Sequence, residues 1–336
     1  MRILMLAIIF ISLWSNVVKA ADGEVNIYSH RQQFLLQPFL DRFTEATGIQ
    51  TNVVFAAKGL AQRLAAEGKA SPADLVLTVD ISRLSEYADM GLFQPVQSDV
   101  LDEAIPAHLR GEGDIWFGLS KRARIIAISK ERVAADEISR IEDLADPKWK
   151  GRICTRKGSH VYNRALLASM VAHHGEAEAQ KWAEALVANL ARRPQGNDRA
   201  QAKAIYSGEC DVAIMNHYYY GKMLTSDEAE QRDWADAITL IFPNQSDRGA
   251  HINISGGGVA KYAPNKQNAI AFLEFLVSDE AQRLYGDINF EYAVTDTAPM
   301  SEALAQWGQV KGDDLPIEAL AKNAKTAQMI IDRVGW

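Results

Sequence analysis

Residues 24–55, EVNIYSHRQQFLLQPFLDRFTEATGIQTNVVF, decide the fold. Residues 24–29 alternate polar and apolar side chains as a strand does. Phe34, Leu35, Pro38, Phe39 and Phe43 then recur at helical spacing as far as Gly48, and residues 51–55 read as the next strand. A second unit repeats the pattern. Residues 60–66 are helical, residues 73–79 (ADLVLTV) form a continuous apolar strand, and residues 81–90 form a helix stopped by Gly91. Strands alternating with helices predict an α/β class with mostly parallel strands.

Outward from this segment, residues 116–128 (WFGLSKRARIIAI) read as a long strand that leaves the first unit, and residues 151–155 (GRICT) as a strand ahead of a helix over 163–173. Residues 180–189 and 198–206 are helical, the latter with an Asn or Asp N-cap. Residues 210–215 (CDVAIM) form a buried strand, residues 238–242 another, and residues 251–260 (HINISGGGVA) a strand with a glycine break. Residues 265–276 and 316–334 are helical. No internal repeat and no long linker separates the halves, so the chain is expected to pass between two units more than once.

The 336 residues, 48% hydrophobic and 24% charged, suit about two packed domains. With 36 Lys and Arg against 43 Asp and Glu, the net charge of −7 excludes the basic face that nucleic-acid binding requires. Residues 1–20 carry Arg2, an apolar run over 3–14 and Val18-Lys19-Ala20 before Ala21, the pattern of a cleaved signal peptide. Losing Arg2 and Lys19 takes the charge from −7 to −9 and implies a soluble protein outside the cytoplasm. In that compartment a disulfide between Cys154 and Cys210 is favoured over two free thiols, worth about 4 kcal/mol by chain entropy.

The densest polar feature is Asn216-His217-Tyr218-Tyr219-Tyr220-Gly221-Lys222, which follows a buried strand and so falls where α/β sheets place ligands. It reads either as an aromatic loop packed on a neighbouring lobe or as a cluster of phenols around a hard cation. Phenols titrate near 10, and adjacent phenolates form only where such a cation displaces their protons. A second patch, Arg156 to Asn163, offers Ser159 and a helix start for an anion, with Tyr162 projecting nearby. Tyr162 lies eight residues after Cys154 and Tyr218 eight after Cys210, a register in which a disulfide brings both tyrosines to one end of the sheet. His173-His174 reads as surface. Ser255-Gly256-Gly257-Gly258 lacks the Lys-Ser/Thr of a phosphate loop and reads as a close backbone approach.

Over the stretch past residue 20 the chain resembles the periplasmic ferric-ion-binding proteins of bacterial iron(III) ABC importers. The resemblance rests on VNIYSHRQQFLLQPFLDRFTEATGI (25–49), SPADLVLTVD (71–80), WFGLSKRARIIAISK (116–130), HVYNRALLASMV (160–171), NHYYYGK (216–222) and ISGGGVAKYAPNKQNAIAFLEFLVSDEAQ (254–282). The pairing of Tyr162-Asn163 with Asn216-x-Tyr218-Tyr219 is its specific part. It implies a two-lobed type II periplasmic-binding-protein fold joined by crossing strands. Residues 21–119 with about 250–290 make the amino-terminal lobe, and about 120–249 with 291–336 the carboxyl-terminal lobe, each a discontinuous stretch. It also implies one Fe(3+) held by Tyr162, Tyr218 and Tyr219, with carbonate or another small anion on Arg122 or, less well matched, Arg124. Tyr220 is a neighbour rather than a ligand.

At the first motif the chain departs from the family. Tyr28-Ser29-His30-Arg31-Gln32-Gln33 stands where many relatives carry a His and a Tyr as iron ligands. Either the amino-terminal lobe supplies nothing, leaving an anion or water in the shell, or it supplies His30 by a shifted geometry; a surface or hinge histidine is favoured, and Tyr28 is a core residue. The implied partners are an inner-membrane ABC permease and its ATPase, with a monomeric, non-enzymatic carrier between them. Two other readings compete: a receptor of the same fold for an organic or oxyanion solute, with the tyrosines as an aromatic wall, and an exported enzyme using Tyr or His for acid–base work. Neither G-x-S-x-G nor H-E-x-x-H occurs to support the enzyme.

Overall fold

A computed structural model describes residues 23–295, 297–308 and 310–336. The signal peptide expected over 1–20 lies outside the described residues. β1 (Glu24–Ser29), α1 (Gln33–Thr47) and β2 (Gln50–Phe55) form the strand–helix–strand unit read from the sequence. α2 (Leu60–Glu67), β3 (Leu75–Thr78), α3 (Ile81–Asp89) and α4 (Asp99–Ala104) complete the first unit before the long β4 (Phe117–Ser129). There follow β5 (Ile153–Cys154), α5 (Val161–Ala188), α6 (Asp198–Tyr206), β6 (Val212–Asn216), α7 (His217–Leu224), α8 (Ala229–Asp236), β7 (Ile238–Ile241) and β8 (Ile252–Val259). α9 (Lys266–Leu276) and α10 (Asp279–Asn289) precede three short helices ending in Ala324–Val334. The helices expected over 163–173 and 180–189 both form within the span labelled α5, and a kink at Gly175, whose φ of 80° and ψ of 165° are not helical, separates them.

Strand order in the sheet is β2-β1-β3-β8-β4-β6-β5, with β7 also on β4. Pairs β1–β2, β1–β3 and β5–β6 are parallel, whereas β3–β8, β4–β8, β4–β6 and β4–β7 are antiparallel. The sheet is therefore less parallel than the alternation of elements suggested. The reason is that β4 and β8 run against each other through its middle: Phe117 to Ala123 of β4 pair with β8, and Arg124 to Ile128 with β6. The chain passes this seam again where Lys121 and Tyr292 exchange both backbone hydrogen bonds at 2.7 and 2.8 Å.

Separate apolar cores lie on either side of the seam. One gathers Ile27, Phe39, Phe43, Leu75, Tyr87, Trp116 and Phe272, and takes in Ile317 and Leu320 from the tail. Beyond the seam, alternate residues of β4 face opposite ways, as the period of a strand requires. Ile126 and Ile128 join Trp149, Leu167 and Trp336, whereas Ile125 and Ala127 join Ile205, Met215 and the two cysteines. The glycine run in β8 continues the strand without a break. A Cβ on Gly256 would come within 2.5 Å of the Phe117 carbonyl oxygen and one on Gly258 within 2.7 Å of that of Ile115, so these residues are glycine because neighbouring backbone passes too closely for a side chain.

Candidate functional site

The tyrosine run is helical rather than a loop. β6 ends at Asn216, and the next residues turn at once into α7, so Tyr218, Tyr219 and Tyr220 leave the first turn of a helix about 100° apart. Tyr218 and Tyr219 face a cavity, whereas Tyr220 points away onto Trp307, ring centroids 5.8 Å apart. Gly221 lets the helix settle here, because a Cβ on it would lie 2.3 Å from the Phe290 ring.

Tyr162 arrives from the second residue of α5. β5 and β6 are parallel neighbours, with Cys154 opposite Ala213, and a Cys154–Cys210 disulfide with a Cα separation of 5.9 Å joins the two chain segments. Equal spacing from the two half-cystines brings the phenols together: the Tyr218 hydroxyl donates to the Tyr162 oxygen at 3.1 Å. The Tyr219 ring lies 4.4 Å from that of Tyr218. Burial, then the neighbouring Tyr162 and Tyr219, push the Tyr218 phenol well above its ordinary range. Burial followed by Tyr162 and Asp198 does the same to Tyr219. Without a cation Tyr218 and Tyr219 are neutral phenols.

The cavity they face has a volume of about 380 Å³, within the usual range for a small-ligand site. Its opposite wall is His30, Arg31, Gln32, Phe34 and Leu35, and its floor includes Val79, Arg122 and Glu291. Arg199 and Lys222 complete a lining of four cationic side chains against the single carboxylate of Glu291. Among the described residues no three His, Cys, Asp or Glu side chains gather as a metal site. The convergent oxygen donors here are phenols, a donor class that suits hard, highly charged cations.

Arg122 lines the cavity but is heavily engaged. It donates to Ser255 Oγ at 3.1 Å, to Glu291 at 3.5 Å, and to the carbonyls of Ile254 and Val79. Arg31, which sequence reasoning passed over, donates to both Glu291 oxygens at 2.7 and 3.0 Å and to Ser255 Oγ. Burial opposes the charge on Glu291, yet Arg31 and Arg122 outweigh it and hold its carboxyl below the usual range. Nothing in the sequence around Glu291 marks it.

Arg124 lies beneath the tyrosines rather than in the cavity lining. Its two terminal nitrogens donate to Asp198 and Asn216 and to Asn163, and its guanidinium carbon lies 5.7 Å from the Tyr162 ring centroid. Arg156 donates to the other Asp198 oxygen and lies 5.3 Å from the same ring. Asn197 caps α6 by accepting from the Ala200 amide at 3.0 Å, which leaves Asp198 to the arginines.

His30 borders the cavity, but both ring nitrogens have protein partners, the Ala56 carbonyl at 2.9 Å and the Tyr87 hydroxyl at 3.0 Å. Burial, then Arg83, lowers its pKa to about 4. Tyr28 is buried with its hydroxyl on Glu67. Ser159 is exposed and outside the cavity lining, and His160 Nδ1 already accepts the Tyr162 amide at 3.3 Å at the start of α5. His173 and His174 pair separately with Asp313 and Glu142.

A family model described as bacterial extracellular solute-binding protein matches residues 70–311. The chain is 43% identical over 314 residues to iron uptake protein A1 of Synechocystis sp., covering 93% of this chain and 87% of that protein. Among solved structures it is similar to the Trichodesmium protein IdiA (FutA) in complex with iron and citrate ligands, at 44% identity and TM-score 0.89, covering 94% and 100% of the two chains. Ferric iron-binding protein A of Mannheimia haemolytica in an open conformation matches at 45% identity and TM-score 0.87, covering 93% and 98%. The architecture shared with these proteins is the type II periplasmic-binding-protein fold expected from the sequence.

Proposed function

Since the chain belongs to the bacterial extracellular solute-binding proteins, whose members carry solutes rather than transform them, we propose that it is a periplasmic receptor for ferric iron. Tyr162, Tyr218 and Tyr219 hold the ion between the two lobes as tyrosinates. The observation that carries this reading is the 3.1 Å approach of the Tyr162 and Tyr218 hydroxyls, with Tyr219 on the same cavity. Three phenolates match the charge of Fe(3+), so the loaded site buries little net charge of its own.

A small anion such as carbonate binds beside the ion. The support is the cationic lining: Arg31 and Arg122 are largely met by Glu291, while Arg199 and Lys222 bring further positive charge to the wall. Gln32, Phe34 and Arg31 cover the ion from the other side, and His30, with both nitrogens engaged, is left out of the shell. Export by a cleaved signal peptide puts the carrier in the periplasm, where as a monomer it passes iron to an inner-membrane ABC permease driven by its ATPase. The lobes divide near the β4–β8 seam as residues 21–119 with about 250–290 and about 120–249 with 291–336, except that Val294, Ile317 and Leu320 pack in the first core.

The test is optical. Protein given ferric nitrilotriacetate acquires a visible tyrosinate-to-iron charge-transfer band and turns red to orange, with band position compared in the presence and absence of bicarbonate. A protein that stays colourless and binds no iron ends this reading.

A further inference from the structure

We infer that Arg124, held by Asp198 together with Arg156, is a positioning residue for the iron-binding tyrosines; the inference rests on the ferric reading above. Tyr162 and Tyr218 come from two different helices, and their oxygens meet only if α5 and α7 start in fixed register. One guanidinium reaches both starts. Arg124 donates to the side-chain oxygen of Asn163, beside Tyr162, and at 3.0 Å to that of Asn216, whose own amide donates to the Tyr218 hydroxyl at 3.3 Å. Asp198 anchors the fork from a third helix and also accepts the Asn216 backbone amide at 3.2 Å. The arrangement needs a planar group with several donors in fixed directions, which Arg supplies and Lys does not.

The same cluster sets the charge around Tyr162. Two guanidiniums against one carboxylate leave one net positive charge, and both cations lie within 6 Å of the Tyr162 ring, at 5.7 and 5.3 Å. A cation beside the ring lowers the energy of the electrons that the ring donates to the metal. Arg124 touches neither cargo nor cavity, so it acts through the tyrosines, as residues supporting metal ligands do.

Wild type, Arg124→Lys and Arg156→Gln are loaded with ferric nitrilotriacetate, and thermal melting, ferric affinity and the charge-transfer band are measured for each. Both variants are expected to lose about 10- to 100-fold in affinity, the usual cost of losing such support. Arg156→Gln removes a cation beside the ring and moves the band to longer wavelength. Arg124→Lys keeps the charge but not the fork, so its affinity falls more than its band moves. Folded variants with wild-type affinity and an unmoved band overturn the inference, even if their melting points drop. If Arg124→Lys does not fold, Arg156→Gln decides alone by the same two readouts. Failure of wild type to show any band counts against the ferric reading instead.

Discussion

Two buried clusters of the same composition flank the cavity, and they do different things. Arg31, Glu291 and Arg122 form one; Arg124, Asp198 and Arg156 form the other. Each is a carboxylate between two arginines, and Arg122 and Arg124 are alternate residues of one strand. In both, burial raises the carboxyl pKa, and the arginines outweigh it and keep the group ionised. Glu291 ties together chain segments from opposite ends of the sequence at the seam, accepting also from Ser120 of β4, while Ser255 of β8 accepts from both arginines. Asp198 instead ties together the starts of the helices that carry the tyrosines. The comparison teaches that placement, not composition, decides whether a buried ion cluster braces the crossing strands or the tyrosines proposed as ligands.

The largest expected effect tests the cluster at the seam. Glu291→Gln leaves two buried guanidiniums facing each other without their anion, a loss of about 3–5 kcal/mol by analogy with broken buried pairs. The melting point of the iron-free protein should fall steeply, and further than that of Arg156→Gln, which leaves Asp198 its second arginine. An equal or smaller fall would erase the distinction between the clusters.

Next comes the ligand half. Tyr218→Phe or Tyr219→Phe removes a donor oxygen and should cost more than the roughly 100-fold upper bound for supporting residues, with a weaker charge-transfer band and little loss of stability. Equal binding by these variants would mean that the tyrosine wall is only aromatic cover.

The contrast also marks what could be read from sequence. The strand–helix–strand units, the long crossing strand and the tyrosines were legible because period and local spacing encode them: Tyr162 and Tyr218 repeat the same interval from Cys154 and Cys210, and parallel pairing of β5 with β6 converts that interval into contact. The helical state of His217 onward was not legible, since three consecutive tyrosines in a first turn show no periodicity of their own. Arg31 and Glu291 could not be paired, because 260 residues separate them and only the third pass at the seam brings them together. The cap of α6 read as Asn or Asp, and Asn197 takes it; the role of Asp198 as the buried partner of two arginines was not legible. Arg122 and Arg124 share a strand face, and only the different partners across β8 and β6 separate their roles.

A smaller effect comes from histidines held neutral near these clusters. Burial, then Arg124 and Arg248, lowers the His251 pKa to about 3, and burial lowers that of His217 to about 4. Because the unfolded chain binds protons on these rings at the ordinary value of 6.5 and the folded one does not, their cost is absent above that pH. It grows as pH falls from 6.5 towards the folded values. The depressed carboxylates act in the same direction but only below the ordinary carboxylate range. Melting of the iron-free protein should therefore begin to fall below pH 6.5, by at most about 1.4 kcal/mol per pH unit for each ring. His251→Gln should fall less steeply than wild type; parallel slopes would show that His251 protonates freely in the folded state.

The smallest effects come from side chains that look like ligands in sequence and are not aimed at the ion. Tyr220 stands beside two proposed ligands, yet its ring packs on Trp307, so Tyr220→Phe keeps the packing and removes only a hydroxyl outside the cavity lining. His30 faces the cavity, but its nitrogens bond Ala56 and Tyr87. His30→Gln retains hydrogen-bonding capacity at that position. Both variants should bind iron within about 3-fold of wild type, below 1 kcal/mol and inside the range of ordinary peripheral substitutions. A large loss confined to His30→Gln would mean that closing on iron frees the ring from Ala56 and Tyr87, and that the wall opposite the tyrosines contributes a nitrogen after all.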